Sequence, residues 1–117
     1  MIRQEENSVE DNREMFDKLV KGLRDIYGDM LVSVLLYGSF ARGTNTRESD
    51  IDIAILVDGR ETEEMRNQMV ELAVDMDLEY DQVFSVLNID YKNFLEWADI
   101  LPFYKNVREE GVVLWAA

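Results

Sequence analysis

Two aspartates separated by one residue, Asp50 and Asp52, open an apolar run that ends at Val57. Side chains alternate between the two faces of a β-strand, so both carboxylates project to the same side. At a rise of roughly 3.3 Å per residue, the two carboxylates lie about 7 Å apart. Such a pair can bind divalent ions, and hard oxygen ligands favour Mg²⁺, which also takes phosphate oxygens from a substrate. The spacing therefore indicates metal-assisted chemistry on a phosphate compound.

A glycine and a serine, Gly38 and Ser39, follow a second apolar run, Leu31 to Tyr37, and ten residues separate them from Asp50. Glycine lets another chain segment approach the backbone closely because it has no Cβ. Ser39 falls where backbone N–H groups at a helix start can hold an anion. The stretch predicts a strand, a tight phosphate-binding turn, a short helix and loop, and a second strand that carries the two acids.

An Asp-x-Asp pair alone carries little information, because the chain has 25 acidic residues and Asp75 and Asp77 form another such pair. The conjunction of a strand, Gly-Ser, fixed spacing and two acids on a second apolar strand is far more specific. The alternative is that Ser49 and Asp50 cap a turn and that Asp52 is a solvated charge at a strand edge. The apolar run after Asp52 argues against this alternative, because an unpaired acid on a buried strand is costly.

The string Gly38-Ser39, ten residues, Asp50-Ile51-Asp52-Ile53 resembles the signature of the DNA polymerase β-like nucleotidyltransferase superfamily. The segment GSFARGTNTRESDIDI further resembles the minimal nucleotidyltransferase (MNT) family, whose members are often encoded beside a HEPN-domain partner as antitoxin and toxin. The matched core runs from about Leu31 to Ile89. The resemblance implies that the two motif acids bind two Mg²⁺ ions, that the glycine-serine turn holds the triphosphate of ATP, and that a third acid comes from a later strand.

Asp81 is the position that matches this third acid, near the start of a strand predicted over Glu79 to Ile89. The resemblance implies that Asp81 helps to hold one metal ion and takes the proton of the attacking hydroxyl. Glu79 has the same strand parity and Asp77 is close, so both stay open as alternatives. The structural alternative for Asp81 is a solvated charge at the strand entry.

Two arginines, Arg42 and Arg47, are the basic residues nearest to the predicted phosphate site. Either can stabilise a triphosphate through charge-assisted hydrogen bonds. Ion pairing with a nearby Asp or Glu is an equally good interpretation. Both arginines are therefore candidate nucleotide-binding residues.

The chain has no histidine and no cysteine, which excludes the usual neutral-pH base, thiolate catalysis and cysteine-bound zinc. Proton transfer must then fall to a carboxylate, a lysine, a tyrosine or bound water, and a carboxylate beside a metal can perform it. The net charge of −13 argues against broad binding to a nucleic acid backbone and favours a basic protein partner.

The expected function is transfer of AMP from ATP to a hydroxyl of a partner protein, as the antitoxin of a HEPN/MNT pair. One alternative is a small-molecule nucleotidyltransferase of the antibiotic-modifying type, and another is a catalytically silent antitoxin that only binds its partner. A nucleic-acid-directed transferase is the least favoured because of the charge. Only about 28 residues follow the predicted third strand. A partner protein or a second copy of the chain is therefore expected to complete the site.

The length of 117 residues predicts a single nucleotidyltransferase domain over residues 1–117. No run of about 18 apolar residues occurs, so no membrane span is expected. The polar, acidic first residues exclude a secretory signal. The absence of cysteine is compatible with a reducing, cytoplasmic setting, which is the expected location. The resemblance implies an α/β (α+β) class with the polymerase-β-like core, a small mixed sheet of three or four strands with helices packed on it.

The remaining elements follow from periodicity and caps. Apolar residues at three- and four-residue spacing predict an amphipathic helix over Ser8 to Tyr27, capped by Ser8 with Asp11 and preceded by a frayed lead-in at residues 1–7. A methionine stripe predicts a core-packing helix over Glu61 to Met76, and Asp90 is a predicted N-cap for a helix over Tyr91 to Ala98.

The C-terminal segment, residues 90–117, is rich in aromatic residues: Trp97, Phe103, Tyr104 and Trp115. These side chains either close the core or form a hydrophobic surface that meets another protein. The apolar end, Val112 to Trp115, is compatible with a strand or with a docking segment.

Overall fold

A computed structural model describes residues 9, 12–46 and 48–117 of the chain. Its centre is a four-stranded sheet with the order β3-β2-β1-β4. The strands are β1 (Leu31–Tyr37), β2 (Ile51–Val57), β3 (Phe84–Asp90) and β4 (Val112–Ala116); the helices are α1 (Arg13–Tyr27), α2 (Ser39–Arg42), α3 (Glu63–Tyr80), α4 (Tyr91–Trp97) and α5 (Pro102–Glu110). Strand β1 is antiparallel to both β2 and β4, whereas β2 and β3 are parallel. The expected class, a small mixed sheet with helices packed on it, is confirmed.

Helices α1 and α3 cover one face of the sheet. The apolar stripe of α1 is fully buried at Leu19 and Leu23, and it packs in one cluster with Ile53 and Ile55 of β2. The methionine stripe of α3 joins this cluster through Met69 and Met76, so the predicted core role of that helix is confirmed. Burial of each large apolar side chain contributes about 1.5–3 kcal/mol to the stability of the fold. This cluster therefore stabilises the packing of α1 and α3 on the sheet.

Helices α4 and α5 cover part of the opposite face. Phe94 and Ala98 of the α4 segment and Val107 of α5 pack with Ala54 and Leu56 of β2. Because strand side chains alternate, the even-numbered residues of β2 belong to this face and the odd-numbered ones belong to the α1 and α3 face. Asp52 therefore lies on the face that α4 and α5 cover.

The first helix begins at Arg13, after a turn that includes Val9 and Asn12. The predicted start at Ser8, its cap with Asp11 and the lead-in at residues 1–7 lie outside the described residues. At the other end, α1 stops at Gly28, which has a positive φ of 55° and whose N–H donates to the Arg24 carbonyl.

The predicted boundary between α3 and β3 is wrong. Helix α3 continues to Tyr80, and the strand begins at Phe84 instead of Glu79. Tyr80 lies one helical turn beyond Met76 and packs against the same core cluster, so tertiary packing overrides the β-forming character of this residue. Asp81 ends the helix in the left-handed region with a φ of 53°. The Asp77 carboxylate then accepts the Phe84 N–H at 2.7 Å and fixes the entry to β3.

The C-terminal segment forms two helices and a strand. The prediction that Asp90 caps α4 is confirmed, because its carboxylate accepts the N–H of Asn93 at 3.1 Å. The apolar end is strand β4, which pairs with β1 and places Trp115 against the main core. Among residues 9, 12–46 and 48–117, no helix is long and apolar enough to cross a membrane.

Candidate active site

The turn between β1 and α2 is shaped by Gly38. Its backbone has φ 76° and ψ −153°, a conformation that L-residues with a side chain rarely adopt. A Cβ on this residue would overlap the Oδ2 oxygen of Asp52 and would lie 3.2 Å from the Asp52 Cγ. The absence of a side chain at residue 38 therefore makes room for the Asp52 carboxylate.

Helix α2 has a single turn whose two ends are both tied to the preceding backbone. The Arg42 N–H donates to the Gly38 carbonyl at 3.1 Å, and the Thr44 N–H donates to the Ser39 carbonyl at 3.0 Å. Phe40 is buried and packs edge-to-face on Phe16 of α1, with 6.3 Å between the ring centroids. The predicted short helix after the glycine-serine turn is thus confirmed, and the core holds it in place.

The two motif acids lie at the beginning of β2, with Asp50 just before the strand and Asp52 inside it. Burial and the neighbouring charge of Asp50 raise the pKa of Asp52, and Arg42 opposes the rise. The two carboxylates are therefore close enough to repel each other. This proximity is consistent with the prediction that both project to the same side of the strand.

Tyr37 is the β1 residue directly opposite Asp52 in the antiparallel ladder. Burial and the charge of Asp52 raise the pKa of its phenol. The ring contacts Phe103 of α5 edge-to-face, with centroids 5.6 Å apart. Tyr37 could not be identified from the sequence, because only the strand register shows which β1 residue lies opposite Asp52.

Arg42 lies at the end of α2, where its guanidinium pairs with Glu110 of α5 at 3.9 Å. Its charge also lowers the pKa of Asp52, against the larger effects of burial and Asp50, so the guanidinium lies near this carboxylate. Pairing with a carboxylate, one of the two interpretations made from the sequence, is thus observed for this arginine. Its binding to a triphosphate stays a prediction. Arg47 lies outside the described residues.

Asp81 lies before β3 and not within it, and it lines one cavity together with Ser49, the residue that precedes Asp50. Asp81 is exposed in the turn after α3, where it lines an open cavity with Glu48, Tyr80 and Gln82. The alternatives that the sequence left open are engaged elsewhere, since Asp77 binds the Phe84 N–H and Glu79 pairs with Lys18. Within the described ranges, no three acids are grouped so that they could hold one metal ion.

Ser85 takes the place beside Asp52 on the neighbouring strand. In the parallel ladder of β2 and β3, Asp52 pairs with Ser85, and Ala54 pairs with Leu87. Sequence analysis missed Ser85 because it started the third strand five residues too early. If the end of α3 had been known, the alternation of side chains along β3 would have indicated this serine.

The donor set fits a divalent cation. Asp50 and Asp52 place two like-charged carboxylates side by side at the start of a buried strand, and an ion between them would neutralise their repulsion. Mg²⁺ commonly binds through one or two carboxylates together with substrate phosphates. The acids and the Gly38 turn together form a site suited to a metal-bound phosphate compound.

Most of the chain is similar to known proteins. A family model described as a nucleotidyltransferase domain matches residues 16–114. A protein of Methanocaldococcus jannaschii that bears the name "Putative protein adenylyltransferase" is 32% identical over 101 residues, which cover 84% of this chain and 92% of that protein.

Two solved structures of toxin–antitoxin complexes contain a chain of similar fold. One is a complex with AMP-PNP, in which the matched chain has a TM-score of 0.60 and 27% identity over 87% of this chain and 73% of that one. The other is an MntA–HpeT complex that carries two aspartate-to-glutamate substitutions, with a TM-score of 0.62, 25% identity and the same coverage. The chain therefore belongs to the family of nucleotidyltransferase domains.

Proposed function

We propose that this chain is a magnesium-dependent nucleotidyltransferase that moves AMP from ATP to a hydroxyl of a partner protein. The observation that carries the proposal is the contact of the Asp52 carboxylate with the Gly38 turn, with Asp50 beside it. The relative named as a protein adenylyltransferase supports AMP and a protein acceptor. We further propose that residues 1–117 work as one domain in the cytoplasm.

The toxin–antitoxin neighbours support the role of an antitoxin. The likeness of residues 38–53 to the minimal nucleotidyltransferases points to a HEPN-domain protein as the partner. The net charge of −13 favours association with a basic surface. In this proposal the partner is also the acceptor, so that modification of the toxin neutralises it.

The reaction is an in-line displacement at the α-phosphorus of ATP. The acceptor oxygen forms a bond to the α-phosphorus, the bond from that phosphorus to the bridging oxygen breaks, and pyrophosphate leaves with the electron pair. When bound, Mg²⁺ offsets the charge that develops on the attacking and leaving oxygens. Asp50 and Asp52 would hold the metal, and a carboxylate beside it would receive the hydroxyl proton.

The remaining residues orient the nucleotide. Backbone N–H groups of the turn at Gly38 and Ser39 are proposed to bind the β- and γ-phosphates, and Arg42 and Arg47 to bind the triphosphate. Asp81 as a third ligand and base stays a prediction. We leave it outside the proposed metal site, because the acids of the described residues form no group of three.

The acceptor is proposed to approach over a surface of α4 and α5. We call it the α4–α5 surface, and it consists of Trp97, Ile100, Leu101 and Phe103, each between 40% and 66% exposed. Phe103 connects this surface to the site through its contact with Tyr37, the neighbour of Asp52. The other aromatics of the segment serve the core, since Tyr104 and Trp115 pack against the two apolar clusters.

The test is transfer of a label from α-labelled ATP to the co-purified partner in the presence of Mg²⁺. We expect labelling by the wild type and a loss of about a hundredfold or more in Asp50→Asn and in Asp52→Asn. Asp75→Asn, which neutralises an exposed acid of α3, should label normally. Neutralisation of the partner without labelling would instead support a silent antitoxin, and turnover of a small acceptor without a partner would support the antibiotic-type enzyme.

A further inference from the structure

The parallel pairing of β2 and β3 fixes which side chain lies next to Asp52. Paired residues of adjacent strands point to the same face and lie about 4.8 Å apart. The partner of Asp52 is Ser85, and Ser85 is exposed, so its side chain stands beside the carboxylate at an open part of the sheet. On β3, residue 85 is therefore the position from which a side chain could share a ligand with Asp52.

The acids that precede β3 do not occupy the position beside Asp52. Asp77 accepts the backbone N–H of Phe84 at 2.7 Å, and Glu79 pairs with Lys18 across the helices. Asp81 is exposed in the turn between α3 and β3 and is not part of the strand. In the part of the chain that the structure describes, no third acid is grouped with Asp50 and Asp52, and the strand neighbour of Asp52 is Ser85.

Two carboxylates alone are a weak site for Mg²⁺. The affinity of an oxygen site for such ions rises with the number of charged ligands, and Mg²⁺ leaves its water shell reluctantly. Phosphate oxygens of a nucleotide supply the charge that the protein lacks. We propose that Ser85 occupies the position of a third carboxylate beside Asp52, so that the protein holds its metal only together with the nucleotide.

A third acid at residue 85 would also destabilise the protein when no metal is bound. Like charges that face each other across a strand pair destabilise the sheet. Asp52 already has Asp50 as a like-charged neighbour. A hydroxyl at residue 85 adds no charge, so the free protein avoids three adjacent carboxylates. This inference rests on the proposed function, because it assumes that the pair binds a metal-nucleotide complex.

The test measures Mn²⁺ as the probe ion by electron paramagnetic resonance, with and without AMP-PNP. In the wild type we expect Mn²⁺ to bind at least about tenfold more tightly when AMP-PNP is present. In Ser85→Asp, nucleotide-free Mn²⁺ binding should tighten by about tenfold. The matched control is Leu87→Asp, which adds the same charge to the same face one pairing step farther away, beside Ala54. Ser85→Asn is the neutral control, and both controls should behave as the wild type.

Thermal unfolding supplies a readout independent of catalysis. Ser85→Asp should melt below the wild type without metal and recover with Mn²⁺, since a ligand that binds only the folded state stabilises it. Leu87→Asp should show no such recovery. Far-UV circular dichroism at the assay temperature confirms that each variant is folded before its metal binding is compared.

Two results would overturn the inference alone. One is equal Mn²⁺ affinity of the wild type with and without AMP-PNP, and the other is equal tightening by Ser85→Asp and Leu87→Asp, while AMP transfer by the wild type is intact. If the folded wild type binds no AMP-PNP in calorimetry and transfers no AMP to its partner, the proposed function is wrong and this inference is wrong with it.

Discussion

Gly38 and Asp52 are in contact across β1 and β2, with the carboxylate of Asp52 occupying the space where a side chain of residue 38 would begin. The positive φ of Gly38 turns the chain from the sheet into α2 at the same point. One residue thus serves both the backbone turn and the position of the acid. The activity should therefore be more sensitive than the fold to substitution at residue 38.

Gly38→Ala should abolish AMP transfer and lower the free energy of unfolding by about 1–3 kcal/mol, through backbone strain and overlap with Asp52. Gly43→Ala is the matched control, because Gly43 also has a positive φ, 74°, but a Cβ there would meet no atom within 4 Å. Urea denaturation and labelling of the partner measure both effects. Equal loss of activity in the two variants would show that strain alone, without the contact to Asp52, explains the result.

The ion pair of Arg42 with Glu110 should compete with the triphosphate. Arg42→Gln is expected to weaken ATP binding by about tenfold, since a charge-assisted hydrogen bond is lost. Glu110→Gln is expected to strengthen it by about twofold, because an exposed pair separated by 3.9 Å contributes little and its removal frees the guanidinium. Calorimetric titration of ATP with Mg²⁺ measures both, and Glu109→Gln serves as the control for loss of a nearby charge. Unchanged affinity in Arg42→Gln would limit this arginine to its pairing with α5.

Glu61 links β3 to α1 and α3 at the end of the sheet opposite to the motif acids. It accepts hydrogen bonds from Tyr27 at 2.5 Å, from Asn88 at 2.8 Å and from Arg66 at 3.3 Å. Burial raises the pKa of Glu61, but these hydrogen bonds outweigh burial and bring the pKa below 4.5. A carboxyl whose pKa is lower in the folded state adds stability above its unfolded pKa and loses it as the pH falls through the folded pKa.

Glu61→Gln should therefore lower the free energy of unfolding by about 1–2 kcal/mol at neutral pH. The difference from the wild type should shrink as the pH falls below about 4.5. Urea denaturation across this pH range measures it, with the exposed Glu71→Gln as a control of the same charge change. AMP transfer should be unaffected, because Glu61 follows the end of β2 opposite to the motif acids. A difference that stays constant down to acid pH would contradict the role of the charged form.

The α4–α5 surface should bind the partner protein. Ile100 is 66% exposed, and a charge in the centre of an apolar interface is expected to weaken the complex by about tenfold or more in Ile100→Glu. Val70→Glu is the control, because Val70 is 50% exposed on α3, which covers the other face of the sheet. The affinity for the partner is measured by biolayer interferometry with both variants shown to be folded. Weaker binding in the α3 variant alone would place the partner on the opposite face.

Several features of the site could be predicted because they depend on local sequence. The apolar runs that end at Tyr37 and Val57 gave β1 and β2 with the observed bounds. The common side of Asp50 and Asp52 follows from strand alternation alone, and the stop of α2 at Gly43 follows from the freedom of glycine to adopt a positive φ. In each case the interactions that determine the structure join residues that are only a few positions apart in the chain.

Other features depend on contacts between distant segments, and the local pattern was insufficient for them. The residues from Asp77 to Tyr80 are compatible with either helix or strand, and packing of Tyr80 against the core extends α3 and delays β3 to Phe84. This shift removed Asp81 from the strand and placed Ser85 beside Asp52.

By itself the sequence determined the two framing strands, the glycine turn and the side of the strand on which the two acids lie. Those properties arise from side-chain alternation and backbone freedom within single elements. Only the tertiary structure decided which side chains surround Asp52: Tyr37 on one side, Ser85 on the other, and Arg42 held by Glu110. The physical reason is that strand register and helix docking are set by hydrogen bonds and packing between residues far apart in the chain.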